Sequence, residues 1–420
     1  MLNENMIYLG KERSAIRELF EQGKILKEKY GDDKVYDFSL GNPSIPCPES
    51  LNETIKNLTT IAEALDKNEN FKNIISTNLN YDYRKLKSTE LHGYTSAQGD
   101  KIVRYAISDY LNKKYNANTN GDLIYMTAGA AAGLTIVLKA ITNDSNDEII
   151  IFTPYFPEYK VFIKNANATS VEVKPNLDDF QPDLDDFKNK ITKNTSAIII
   201  NSPNNPTGTM YDEETIKKIC AILYDKEKEY AHPIYIISDE PYRELVYNNT
   251  AYPFITNYYN DSIITYSFSK SLSVPGERIG YILINPLCEN KDNLYAAICG
   301  AGRSQGYVCA PTLFQFLIPH LLGTTSDISI YKENANLFYN ELIKIGYQVV
   351  KPVGAFYLFA KALCDDAKVF SKKAIEYNLL LVPSDSFGID GYIRIAYCVS
   401  KTQIINSLPM FKDLYNFYNK

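Results

Sequence analysis

From about residue 100 to residue 285, short apolar runs alternate with stretches whose apolar residues recur at helical spacing. The runs predict strands at Leu123–Met126, Glu148–Phe152, Thr169–Val173, Ala197–Asn201, Ile234–Ser238, Ile263–Tyr266 and Ile279–Ile284. Several, such as Ala197–Ile200 and Pro233–Ile237, are apolar almost without interruption, as expected for strands covered on both faces. Helices are predicted between many of them, among them Ala130–Ile141, with Lys101–Tyr115 leading in. This alternation predicts an α/β fold built on a mostly parallel, doubly wound sheet. Ligands of such sheets bind in the crevice beyond the carboxyl ends of the strands. Polar residues that directly follow the apolar runs are therefore where chemistry is sought.

The flanks read differently. Lys11–Tyr30 carries Ile16, Leu19, Phe20, Ile25 and Leu26 at roughly helical spacing, and a Gly/Pro-rich loop, Ser39–Ser50, leads to another helical stretch. Residues 67–90 are polar and read as a surface excursion with no assignable chemistry. After about residue 310, helices are predicted at Tyr331–Ile345 and Asp366–Tyr377, with strands at Ala355–Phe359, Leu379–Val382 and Tyr392–Ala396. The expected division is a large domain over 46–309 and a smaller α+β domain made of 310–420 together with the N-terminal segment 1–45.

Composition narrows the class. The chain has 420 residues, 45% apolar and 22% charged, with a net charge of −6, so neither disorder nor a basic nucleic-acid surface is expected. No apolar run approaches a membrane span, and the opening MLNENMIYLGKERS lacks a signal peptide's apolar segment. Seven scattered cysteines without a CxxC pair, and three distant histidines, point to no disulfide framework and no metal site. A soluble cytoplasmic protein is expected.

Four strand ends carry unusual polar clusters: TAGAAAG (127–133), NSPNNPTG (201–208), SDEPY (238–242) and SFSKSLSVPGERIG (267–280). Each has a bland alternative. Lys270, just past a strand, has the usual position of a solvated loop lysine, and Asp239 that of a helix cap. The Asn and Pro residues of 201–208 suit a turn for conformational reasons alone. Yet only eight of the 44 basic residues are arginines, so Arg278 at the start of a strand suggests bidentate recognition of an oxyanion. Ser267, Ser269 and Arg278 would then hold a phosphate beside a reactive amine. The free amides at the 129–131 helix start would suit the same anion.

In this order, from about Phe38 to Val399, the clusters resemble those of the class I/II pyridoxal-phosphate aminotransferases, the fold-type-I family that includes aspartate aminotransferase. The resemblance implies roles for matching positions. Lys270 is the Schiff-base lysine, and Asp239 is the carboxylate beneath the pyridine nitrogen. Tyr242 and Asn205 hydrogen-bond the cofactor's phenolic oxygen, and Phe156 stacks on the ring where some relatives have tryptophan. Gly129, Ala130 and Ala131 meet the phosphate together with Ser267, Ser269 and Arg278. Tyr94 is a phosphate-binding tyrosine donated by the second subunit of a homodimer. Gly41 and Arg394 lie at the substrate's α-carboxylate. Arg303 is either a clamp reaching across the dimer to a side-chain carboxylate or a helix-terminal arginine.

The expected function is transfer of an amino group from an L-amino acid, aspartate among the candidates, to a 2-oxo acid such as 2-oxoglutarate. A carbon–sulfur β-lyase, or an aminotransferase for aromatic or other neutral amino acids, shares the same machinery. A transcription regulator with this domain is disfavoured, since only about 37 residues precede Phe38 and no basic surface is present.

Overall fold

The computed structural model describes residues 2–11, 15–68, 86–247 and 250–419. One strand of the N-terminal segment, β1 (Tyr36–Asp37), precedes the strands of the large sheet: β2 (Ile124–Thr127), β3 (Glu148–Phe152), β4 (Thr169–Val173), β5 (Thr195–Asn201), β6 (Tyr235–Asp239), β7 (Ser262–Ser267) and β8 (Gly280–Ile284). Their order across the seven-stranded sheet is β2-β8-β7-β6-β5-β3-β4. All neighbours are parallel except β8, which runs antiparallel to both β7 and β2. Helices cover both faces, and the strands are buried almost throughout, which is why they read as unbroken apolar runs.

The register decides where function can sit. Asn201 pairs with Asp239 at the ends of β5 and β6, while Ser267 and Thr127 both pair with Gly280. Because β8 is reversed, its beginning lies at the edge where the parallel strands end. Arg278, two residues before β8, thus joins residues that follow β2, β5, β6 and β7.

A second layer holds β9 (Val349–Val350), β10 (Tyr357–Lys361), β12 (Val382–Pro383) and β13 (Tyr392–Ala396) in the order β12-β13-β10-β9, all antiparallel. β11 (Leu379–Leu380) pairs instead with β1, in parallel. The N-terminal segment thus packs against C-terminal elements, with Phe38 against Phe338 and Phe411 at 5.1 and 6.0 Å.

Several boundaries differ from expectation. The expected strand 379–382 is two strands, because the chain changes partner at Leu381, from β1 to β13. Strand β10 starts at Tyr357 instead of Ala355, whose φ of 54° breaks the extended run. The expected helix 11–30 is described as Glu4–Lys11 and Ala15–Tyr30, with 12–14 outside the described residues. Of the polar stretch 67–90, residues 69–85 lie outside them too, and Ser88–Leu91 forms a helical turn. Helix Thr312–Leu321 packs Phe316, Leu317, Ile318 and Leu321 into the large-sheet core. Among the described residues no helix is long and apolar enough to cross a membrane.

Candidate active site

Beyond the strand ends lies a cleft of about 290 Å³ lined by residues from both layers. Lys270 reaches it from a helical turn, Phe268–Ser271, that begins where β7 ends. Its Nζ donates to the Gly41 carbonyl at 2.7 Å and stands 5.4 Å from the Phe356 ring centre. Burial brings the Lys270 ammonium down to about 8, helped by the nearby Arg278 and Arg394 charges and opposed by the Cys398 thiol. Near neutral pH such a group exchanges its proton readily.

Asp239 ends β6 and is buried. One carboxylate oxygen, Oδ2, accepts from the Tyr159 hydroxyl at 2.5 Å and from Asn201 Nδ2 at 3.4 Å. The other, Oδ1, is buried and has no hydrogen-bond partner among the described residues. Burial pushes this carboxyl up to about 7, against the pull of the Tyr159 hydrogen bond. An unpartnered carboxylate oxygen at this depth fits a cationic N–H donor entering the cleft, which would restore the anion.

Tyr242 follows the same strand. Its hydroxyl lies 2.9 Å from that of Tyr357, and burial raises it far above the ordinary tyrosine range, so it remains a donor. Asn205 is fixed through its backbone N–H, which donates to Asn201 Oδ1 at 2.9 Å. Arg394 Nη1 donates to Asn205 Oδ1 at 3.0 Å, leaving the Asn205 amide hydrogens available to the cleft. Arg394 itself is fully buried on β13; its Nη2 donates to the Ser39 carbonyl at 2.5 Å, and its Nε has no partner among the described residues. A buried guanidinium with donor capacity to spare suits a carboxylate.

The opposite end of the cleft suits a phosphate. Helix Ala130–Ile141 starts there without a side-chain cap, so among the described residues nothing claims the first amides of Ala130 and Ala131. Gly129 precedes it at φ 87°, and a Cβ at that position would lie 2.8 Å from Arg278 Nη2. Ser267, Ser269 and Arg278 complete the lining. Phe156, half-buried, meets Tyr159 edge to face at 5.7 Å and 86°.

Gly129 adjoins the cleft without lining it, and two expected residues lie away from it altogether. Tyr94 is 95% exposed, and Arg303 is exposed in the last turn of helix Lys291–Ser304. Residues at the site that had no role in the sequence reading include Ile16, Asn201, Tyr159 and Tyr357. Asn201 opens the polar cluster 201–208, and the GAFYLF run around Tyr357, a small-residue turn entering a strand, offered a signal.

The family description Aminotransferase class I and II matches residues 57–408. The chain belongs to the class I and II aminotransferases. A solved amino transferase from Eubacterium rectale is 50% identical over the whole of both chains, with a TM-score of 0.93. A probable aspartate/prephenate aminotransferase of Aquifex aeolicus is 32% identical, spanning 76% of this chain and 82% of its own. The aspartate aminotransferase of Thermotoga maritima is 28% identical over 96% of this chain and 97% of its own. The protein is thus a transaminase that depends on pyridoxal phosphate and takes amino acids and 2-oxo acids as substrates. The cleft fits that cofactor at both ends: an unpartnered Asp239 oxygen for its ring nitrogen, and unclaimed amides beside Arg278 for its phosphate.

Proposed function

We propose that this aminotransferase moves the amino group of an L-amino acid, aspartate foremost, to a 2-oxo acid such as 2-oxoglutarate, in the cytoplasm and as a homodimer. The observation that carries the site assignment is the convergence of Lys270, Arg394 and the half-satisfied Asp239 on one cleft. Pyridoxal phosphate, when bound, supplies an electron-accepting ring and a carbon that takes up the amino group.

Asp239 would hold the ring nitrogen protonated through Oδ1, while Tyr159 and Asn201 fix its other oxygen. Tyr242 and Asn205 would donate to the phenolic oxygen, and Phe156 would cover the ring. Ala130, Ala131, Ser267, Ser269 and Arg278 would hold the phosphate, with Gly129 giving Arg278 room. Arg394 would clamp the substrate's α-carboxylate against the Gly41 segment, which turns Cα–H toward Lys270. Lys270, whose burial favours the neutral amine, would take up the proton leaving the substrate's Cα and hold it at Nζ for return.

The homodimer reading is supported by one surface. Tyr94 stands beside the 305–311 loop, since Thr95 Oγ1 lies 3.1 Å from Cys309 Sγ. Tyr307, Val308 and Arg303 are exposed on that loop and helix end, giving an apolar patch with a cation beside it. A partner subunit seated there would receive Tyr94 at its phosphate and Arg303 at the substrate's side chain. Aspartate leads because within one chain the three cleft cations, Lys270, Arg278 and Arg394, already have work, so Arg303 is free to select an acidic side chain. The names of the Aquifex and Thermotoga relatives point the same way.

The test is a panel of amino donors with 2-oxoglutarate. Aspartate and glutamate should be preferred, and Arg303→Ala should cost them far more than alanine or phenylalanine. Equal loss for all donors, or a preference for aromatic ones, would reject the aspartate assignment. Pyruvate released from a thioether amino acid without any oxo acid would favour the β-lyase instead.

A further inference from the structure

Tyr357 belongs to β10 of the small sheet, yet its hydroxyl reaches the machinery of the large one. It lies 2.9 Å from the Tyr242 hydroxyl, and the two rings meet edge to face at 5.9 Å and 84°. The Arg394 guanidinium carbon stands 4.7 Å from the centre of the Tyr357 ring. On the remaining side a Cβ at Gly41 would overlap the Tyr357 hydroxyl, so only a glycine there lets the tyrosine reach inward.

Each tyrosine hydroxyl has one proton to give. If Tyr242 gives its proton to the cofactor's phenolic oxygen, the proton between the two tyrosines must come from Tyr357. We propose that Tyr357 is a positioning residue that donates to Tyr242, so that the single Tyr242 proton is directed into the cleft. This rests on the role proposed above for Tyr242.

The surroundings favour that direction. Among the described residues the Tyr357 hydroxyl has no hydrogen-bond partner other than Tyr242. Burial pushes it up to about 12, so it keeps its proton at neutral pH; the Arg394 charge lowers both tyrosines, and burial raises Tyr242 well above the ordinary range, which leaves Tyr357 the readier donor of the two. Hydrogen bonds in a chain polarise one another, so donation into Tyr242 strengthens what Tyr242 donates onward. The phenolic oxygen then holds its negative charge more firmly. That weakens its hold on the neighbouring proton and lowers the pH at which the bound cofactor changes colour.

Spectrophotometric pH titration of the cofactor-loaded protein reads this directly. Tyr357→Phe keeps the ring beneath Arg394 and removes only the hydroxyl. The midpoint should rise by about half a pH unit, the scale of one hydrogen bond's partial loss. Tyr357→Leu, also without a hydroxyl but of different shape, should move it in the same direction; if it does not, the proposal falls. Tyr242→Phe should raise the midpoint further, and adding Tyr357→Phe to it should change nothing more, because the route through Tyr242 is gone. An equal shift in both backgrounds would mean that Tyr357 acts by packing, which overturns the relay. An unmoved midpoint in Tyr357→Phe alongside a moved one in Tyr242→Phe overturns the relay but leaves the role of Tyr242 standing. An unmoved midpoint in Tyr242→Phe refutes that role first.

Discussion

Asp239 and Lys270 are both held where burial opposes their charge, and stability should register it in the protein stripped of cofactor. The folded Asp239 carboxyl, at about 7, lies above its ordinary 3.8, so the folded state binds more protons across that window. Its contribution to stability therefore falls as pH rises from 3.8 to about 7. For Lys270 the folded value of about 8 lies below 10.5, so the unfolded chain binds more protons there and stability rises over that interval. Cofactor-free Asp239→Asn should melt above its parent at pH 7 and level with it at pH 4. Equal melting temperatures at pH 7 would show that the carboxylate carries no burial penalty. The loaded variant should lose kcat, because an amide cannot hold the ring nitrogen's proton. Lys270→Ala should still take up pyridoxal phosphate in equilibrium dialysis while losing turnover at least ~10²- to 10⁴-fold, the range for a general acid–base group. Near-parental activity would end the assignment. Lys270, Asp239, Asn205 and Arg278 were legible because strand ends concentrate chemistry. Tyr159 and Tyr357 were not: they meet their partners across 80 and 115 residues of chain, and no local pattern ties them to those partners.

Among the elements, β8 has the largest consequence for the site. Had it been parallel, Arg278 would lie at the far edge of the sheet, away from Lys270. Arg278→Ala should weaken cofactor binding by roughly ten- to a hundredfold, the worth of a charged hydrogen bond. Inorganic phosphate should compete with the cofactor in the parent and much less in the variant. Indistinguishable phosphate competition in the two would remove Arg278 from the phosphate site. The strands of the large sheet were legible to within two residues because they are buried on both faces and bounded by polar turns. The small-sheet strands were less so. A four-residue apolar run that serves two sheets looks the same in sequence as one that serves a single sheet, and the turn at Ala355 depends on a backbone angle that the side chain does not announce.

At the scale of the whole molecule, the exposed Tyr94 and Arg303 can serve a cleft only by leaving their own subunit, and mixing experiments test this. Lys270→Ala and Tyr94→Ala proteins, each weak alone, should regain about a quarter of parental activity when reassociated in equal amounts. Random pairing makes half of the dimers hybrids, and each hybrid of two-fold symmetry holds one intact site. No recovery at all, with hybrids shown to form, would place Tyr94 outside the site. Such pairing of surfaces is hard to read from one sequence, because an interface residue and a solvated one share the same local pattern. Phe156 has a different consequence, an optical one. The chain has 34 tyrosines and no tryptophan, so its ultraviolet emission is tyrosine emission alone. Phe156→Trp would install a single indole at the cleft, edge-on to Tyr159, with no other indole to obscure it. Excited at the red edge of protein absorption, it would dim as each cleft fills, and the enzyme would count its own occupancy in light.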